Sequence, residues 1–187
     1  MTTLRREGVL FAIGSFLFAL GALPGYAQLV GTAADDITYF AGSIFFTSAG
    51  FVQLRASQHG ADRWASAIQS AGTLAFNVST GLAMVQNLSA AQEDRYVWRP
   101  DAVGSVCFLV ASAIAVRIAT GPDRPIAWWN MVGSIAFGSS AVGAYVIPDS
   151  GDLQNATAAN MGTFLGALCF LVGALMLVRL SRAAPPG

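Results

Sequence analysis

The chain has 187 residues, 55% of them hydrophobic and only 11% charged, against roughly 25% charged in an ordinary soluble domain. Its ten basic residues, all arginine, balance ten acidic ones, so no global field draws it to nucleic acid. A mean hydropathy of +0.57, spread over several runs close to the ~20 residues that cross a hydrocarbon layer, excludes an ordinary soluble globule and predicts an all-α, polytopic membrane protein.

Six apolar segments are predicted as transmembrane helices, at 8–30, 37–54, 64–86, 102–116, 126–147 and 157–178. The first follows Arg5 and Arg6 and ends near Gly25-Tyr26-Ala27, the layout of a cleavable signal peptide; it is read here as a retained first span. GTAADD at 31–36 leads to the second segment, and SQHGADR at 57–63 leads to the third. That third segment is the most polar, carrying Gln69, Ser70, Thr73, Asn77, Ser79, Thr80 and Gln86. Such residues normally face protein rather than lipid, which predicts hydrogen bonds between helices; a narrow solute path along this helix is the alternative.

The longest link, QNLSAAQEDRYVWRPD at 86–101, is predicted as an outer loop. Asp101 is expected to cap the fourth helix. Arg95 and Arg99 are expected to pair with Glu93, Asp94 or Asp101. Arg95, Tyr96, Trp98 and Arg99 together form a candidate contact surface for a partner or for lipid, because Trp and Arg are favoured interface anchors. TGPDRP at 120–125 and PDSGDLQN at 148–155 separate the last two segments by Pro- and Gly-rich turns.

Arginine placement predicts orientation. With the N-terminus in the cytoplasm, Arg5, Arg6, Arg55, Arg63, Arg117, Arg124, Arg179 and Arg182 lie inside, and only Arg95 and Arg99 lie outside. Seven carboxylates (Asp35, Asp36, Glu93, Asp94, Asp101, Asp149 and Asp152) then fall outside. Trp64, Trp128 and Trp129 mark inner helix starts, while Tyr26, Tyr39, Tyr96 and Tyr145 mark outer ends, as amphipathic rings do at interfaces. Both termini are expected in the cytoplasm. Exclusive use of Arg, with abundant Ala and Gly, points to a GC-rich bacterial genome and hence to the bacterial inner membrane.

A pentapeptide recurs in every segment: GSFLF at 14–18, GSIFF at 42–46, GTLAF at 72–76, GSVCF at 104–108, GSIAF at 133–137 and GALCF at 166–170. An arginine precedes the Gly by nine residues in the odd segments (Arg5, Arg63, Arg124) and follows it by thirteen in the even ones (Arg55, Arg117, Arg179). The unit is a helical hairpin used three times, approximately 5–55, 63–117 and 124–179, within one membrane domain spanning 1–187. At about 1.5 Å per residue, the spacing levels Gly14 with Phe46 and Phe18 with Gly42. It likewise levels Gly72 with Phe108, Phe76 with Gly104, Gly133 with Phe170, and Phe137 with Gly166. Each Gly is predicted to be a notch for the Phe of its antiparallel neighbour.

The repeated hairpin, in particular GSIFFTSAGFVQL at 42–54 and WRPDAVGSVCFLV at 98–110, resembles the YrhK-like domain of small bacterial membrane proteins. The resemblance implies a membrane location and a paired-helix fold in successive copies. It implies no reaction.

No Asp, Glu, Arg or His falls inside the six segments, which argues against proton relays and ion-coupled transport. The single histidine, His59, lies in a link, and Cys107 and Cys169 lie in apolar runs at equivalent repeat positions. Neither a metal site nor a bis-histidine haem is expected, and no cofactor is. The functional expectation is a non-enzymatic structural or accessory subunit, partnered by lipid and by other membrane subunits or copies of itself, with a respiratory complex as one candidate host. A small-solute channel or transporter is the alternative.

Overall fold

The protein is described by a computed structural model covering residues 2–85 and 87–183. It is all-α among the described residues, with a single isolated β-bridge between Val146 and Leu153. Six long helical units run back and forth. They are α1 (Thr3–Gly21), α3 (Thr32–Ala56), α4 (Ala61–Ala83), the stretch from α5 (Ala90–Glu93) through a π-helical turn at Asp94–Trp98 into α6 (Arg99–Ile118), α7 (Asp123–Gly143) and α8 (Ala156–Ala183). A short α2 (Tyr26–Val30) joins α1 to α3. Three of these units, Thr32–Ala56, Ala90–Ile118 and Ala156–Ala183, are long and apolar enough to cross a membrane.

Local chemistry sets the ends. Thr2 accepts a hydrogen bond from the Arg5 amide and starts α1. Gly60, at φ 88°, turns the chain between α3 and α4 through a backbone region that L side chains avoid. Two expectations are corrected here. The first helix does not run to residue 30: it ends at Gly21, and Leu23, Pro24 and Gly25 break the chain before α2. Nor is 86–101 a loop capped by Asp101. Ser89 caps the helix instead, in a reciprocal capping box with Gln92, so Asp101 lies well inside the helical run. Pro100 has no N–H and crowds the preceding turn; the wider π turn directly before it accommodates that defect. Of the third segment's polar residues, Gln86 lies outside the described residues.

The helices close into a ring, each touching the next: α1 with α3, α3 with α4, α4 with α6, α6 with α7, α7 with α8, and α8 back with α1. The start of α1 and the end of α8 lie at one end of the ring, where Gly8 meets Val178. We call this the terminal end and its opposite the far end.

Glycine sets how close the helices come within a hairpin. A Cβ placed on Gly14 would meet the Gly42 carbonyl at 3.0 Å and the Phe46 ring at 3.1 Å; one on Gly42 would meet Phe18 at 2.7 Å. Gly72 stands 2.9 Å from Phe108, Gly104 stands 3.1 Å from Phe76, Gly133 stands 2.9 Å from Phe170, and Gly166 stands 3.2 Å from Phe137, measured the same way. All six glycines thus back onto the phenylalanine of the antiparallel partner.

The six rings meet on the ring axis in two triangles. Phe18, Phe76 and Phe137, from the odd hairpin arms, are 5.9–6.3 Å apart. Phe46, Phe108 and Phe170, from the even arms, are 5.5–6.2 Å apart. Within each hairpin the layers touch at 5.3, 5.1 and 5.6 Å. Most contacts are edge-on, the geometry aromatic quadrupoles favour, at about 0.5–1.5 kcal/mol per pair. Every one of the six rings is at most 4% exposed, so the axis is filled.

The residue after each Gly faces the neighbouring hairpin. Thr80 donates to Ser43 at 3.0 Å. Ser134 donates to the Phe108 carbonyl and bonds Ser112 at 2.8 Å, and Ser105 reaches the Phe137 carbonyl. At the third seam the repeat has Ala167, which carries no hydroxyl, and Ser15 Oγ is buried without a partner among the described residues.

Gly42→Leu and Gly104→Leu are each expected to destabilise the bundle by on the order of 1–3 kcal/mol, as overpacking does, seen as a lower melting temperature in detergent. Phe108→Ala is expected to cost about 3–5 kcal/mol. Phe16→Ala, at a side chain 56% exposed on the outside of α1, is expected to leave the melting temperature unchanged.

Candidate functional site

Above the odd-arm triangle, at the far end, lies a cavity of about 330 Å³. Phe18 and Phe137 form its floor. Its walls carry polar groups from every hairpin: Tyr39 from α3, Ser79 and Thr80 from α4, Glu93, Trp98 and Asp101 from the 90–118 run, and Ser140, Asn160 and Thr163 from the last hairpin. Val85, Leu88, Val146 and Leu153 contribute from the far-end links.

Several walls are held by internal hydrogen bonds. Ser79 Oγ donates to the Val97 carbonyl at 2.8 Å, inside the π turn. Ser140 Oγ pairs with Thr163 Oγ1 at 2.7 Å and donates to the Ala159 carbonyl. Trp98 Nε1 donates to the Ala141 carbonyl at 2.8 Å, and its ring stands edge-on to Tyr145 at 4.9 Å. The segment between Tyr145 and Gln154 folds back on itself, with Ile147 donating to the Asp152 carbonyl and Gln154 to that of Tyr145; this carries Val146, 4% exposed, into the cavity wall.

Other groups are left open. Among the described residues no side-chain hydrogen bond or ion pair engages the carboxylates of Asp101 and Glu93 or the hydroxyl of Tyr39. No Arg and no His lines the cavity.

The four residues singled out as a contact surface separate. Only Trp98 turns into the cavity. Arg99 pairs with Asp94 at 2.8 Å on the exterior, and the Arg95 guanidinium lies 5.6 Å from the Tyr96 ring centre. The polar residues of the third segment do form interhelical bonds in part: Thr80 and Ser79 bond across, whereas Ser70 and Thr73 donate to carbonyls of their own helix. Asn77 Oδ1 is buried without a partner among the described residues. Sequence reading missed the cavity, since Asp101 was assigned to a cap and Tyr39 to an interface belt. The Ser89-Gln92 capping pair was the available signal that the helix begins twelve residues earlier.

No group of three or more His, Cys, Asp or Glu side chains capable of holding a metal occurs among the described residues. Cys107 and Cys169 are half-buried free thiols, with Cys107 Cβ against Gly72, and His59 is exposed in the α3–α4 turn. A second recess, at the terminal end, is lined by Thr3, Arg6, Ser48, Phe51, Val52, Arg55 and Ala56. No family model, curated protein or solved structure matches the chain.

Trp98→Phe keeps the ring and removes the bond to the Ala141 carbonyl. It is expected to lower stability by about 1 kcal/mol, measured as a downward shift of the detergent melting curve. Arg95→Ala, on the exterior, is expected to stay within ~0.5 kcal/mol of the parent.

Proposed function

We propose that the chain is a multi-pass protein of the bacterial inner membrane, crossing it six times with both termini in the cytoplasm. It acts as a non-enzymatic accessory subunit packed against a larger membrane complex or against copies of itself. Support for six crossings comes from the inverted surface. Exposed apolar side chains stud the outside not only of the three most hydrophobic units but also of α1 (Ile13, Phe16), α4 (Leu74, Val78) and α7 (Val132, Ile135). Serines and a threonine occupy the inside: Ser15, Ser43, Ser70, Thr73, Ser105 and Ser134 are buried. Polar groups inside and apolar groups outside is the arrangement lipid demands. Arg6 and Arg55, flanking the terminal-end recess, suit the phosphates of the cytoplasmic leaflet. The hairpin resemblance to YrhK-like proteins agrees with this setting.

The observation that carries the accessory reading is the filled axis. Two layers of phenylalanine leave no aqueous route through the ring. The channel or transporter reading is favoured by one feature, the Ser79 and Thr80 face of α4 in the far-end cavity, yet that cavity ends on Phe18 and Phe137.

In a background with Cys107→Ala and Cys169→Ala, Ser150→Cys is expected to react with an impermeant maleimide on spheroplasts, and Gln58→Cys only after lysis. Labelling of both from the same side would overturn the six-crossing topology. Native mass spectrometry from mild detergent is expected to show a stoichiometric partner subunit or a homo-oligomer. A monomer that conducts small solutes in liposomes would overturn the accessory reading.

A further inference from the structure

We propose that the far-end cavity binds a small organic cation, an ammonium group on a short apolar body, with Asp101 as its counter-ion. The proposal rests on the cavity alone and is independent of the accessory reading.

Three observations converge. First, Asp101 and Glu93 both line the cavity, and neither meets a cation or a hydrogen-bond donor among the described residues. Both residues are half-buried, and a carboxylate partly withdrawn from water is disfavoured unless a cation or donor compensates it. The basic side chains of the same helical run are engaged elsewhere: Arg99 pairs with Asp94 and Arg95 lies over Tyr96 on the exterior. The missing partner is positive.

Second, four aromatic side chains line the same cavity as the carboxylates. Tyr39, Trp98, Phe18 and Phe137 all contribute to the walls or floor. Aromatic faces attract ammonium groups by their quadrupoles, by up to about 2 kcal/mol where water is excluded, and the same faces bury a short hydrocarbon body. The unpartnered Tyr39 hydroxyl supplies an acceptor for an N–H.

Third, size and ligand set exclude the other cations. A bare metal ion would need several converging oxygen ligands, and no such group of three exists among the described residues. The cavity's 330 Å³ is far more than a metal ion fills, since ~10–15 Å³ of such space already holds a water, and it admits a small organic molecule. Such an ammonium can arrive as a free amine or as the headgroup of phosphatidylethanolamine; the chemistry recognised is the same.

The test uses the full chain in nanodiscs of phosphatidylcholine, titrated calorimetrically with phenethylamine and, separately, with the neutral isostere phenethyl alcohol. Saturable amine binding is expected, with the alcohol at least tenfold weaker. Asp101→Asn is expected to weaken the amine at least tenfold, while Asp94→Asn, in the exterior ion pair, binds as the parent does. If Asp101→Asn fails to fold, Glu93→Gln and Tyr39→Phe carry the test, each expected at about threefold weaker. Equal binding of amine and alcohol, parental affinity in Asp101→Asn, parental affinity in both substitute variants, or binding of calcium with none of the amine would each overturn the proposal. Nanodiscs containing phosphatidylethanolamine separate the two sources: apparent amine affinity reduced by competition assigns the site to the headgroup, and unchanged affinity assigns it to a free amine.

Discussion

Everything in this molecule is built around phenylalanine seated on glycine. Each hairpin brings two backbones together at a Gly pair, close enough that a Cβ on either one would strike the other's carbonyl at 3.0–3.2 Å. Each then places a Phe beside the notch so that its ring reaches the axis. Because every hairpin does this at the same pair of heights, the six rings meet in two adjacent layers. Three antiparallel hairpins stagger them into two triangles. The rings are the core of the bundle, and they are also its stopper. One contact repeated six times therefore fixes helix spacing, ring closure and the blind floor of the far-end cavity.

Around this apolar centre, cohesion between hairpins is carried by hydroxyls. Ser43, Ser105 and Ser134 hold the seams through bonds to side chains and carbonyls across the interface. In lipid, apolar surface gives helices little reason to associate, so close packing and such bonds carry the assembly. The same economy explains why the outside carries Val, Ile and Leu while the serines are buried. It also explains why Ala167 stands out: the seam it belongs to loses the repeat's hydroxyl and leaves Ser15 unsatisfied.

The threefold plan holds at the centre and breaks at the far end. Only one hairpin extends its helix back to Ser89 through a π turn, and only one carries the folded-back Tyr145–Gln154 link. The cavity occupies the space between these unlike pieces. Its chemistry, unpartnered carboxylates among aromatic rings, is absent from the repeated centre. A symmetric core supplies a rigid floor, and the departures from symmetry supply the recognition groups.

The sequence by itself determined the helices, the three hairpins and the pairing of each Gly with a Phe, because a helix converts residue spacing directly into height. Nine residues before Gly14 and thirteen after Gly42 suffice to level Phe46 with Gly14 without knowing the fold. Spacing carries no information about azimuth between hairpins, so only the tertiary structure decided that α8 returns to α1 and that all six rings share one axis. It also decided where the acids go. Asp101 reads as a cap from its neighbours, but Pro100 follows a widened turn inside a longer helix that Ser89 begins, and Asp101 lines the space above Phe18. Tyr39, Glu93 and Asp101 are 54 and 8 residues apart in turn. Closure of the ring brings them to a single cavity, and no local pattern along the chain records a closure.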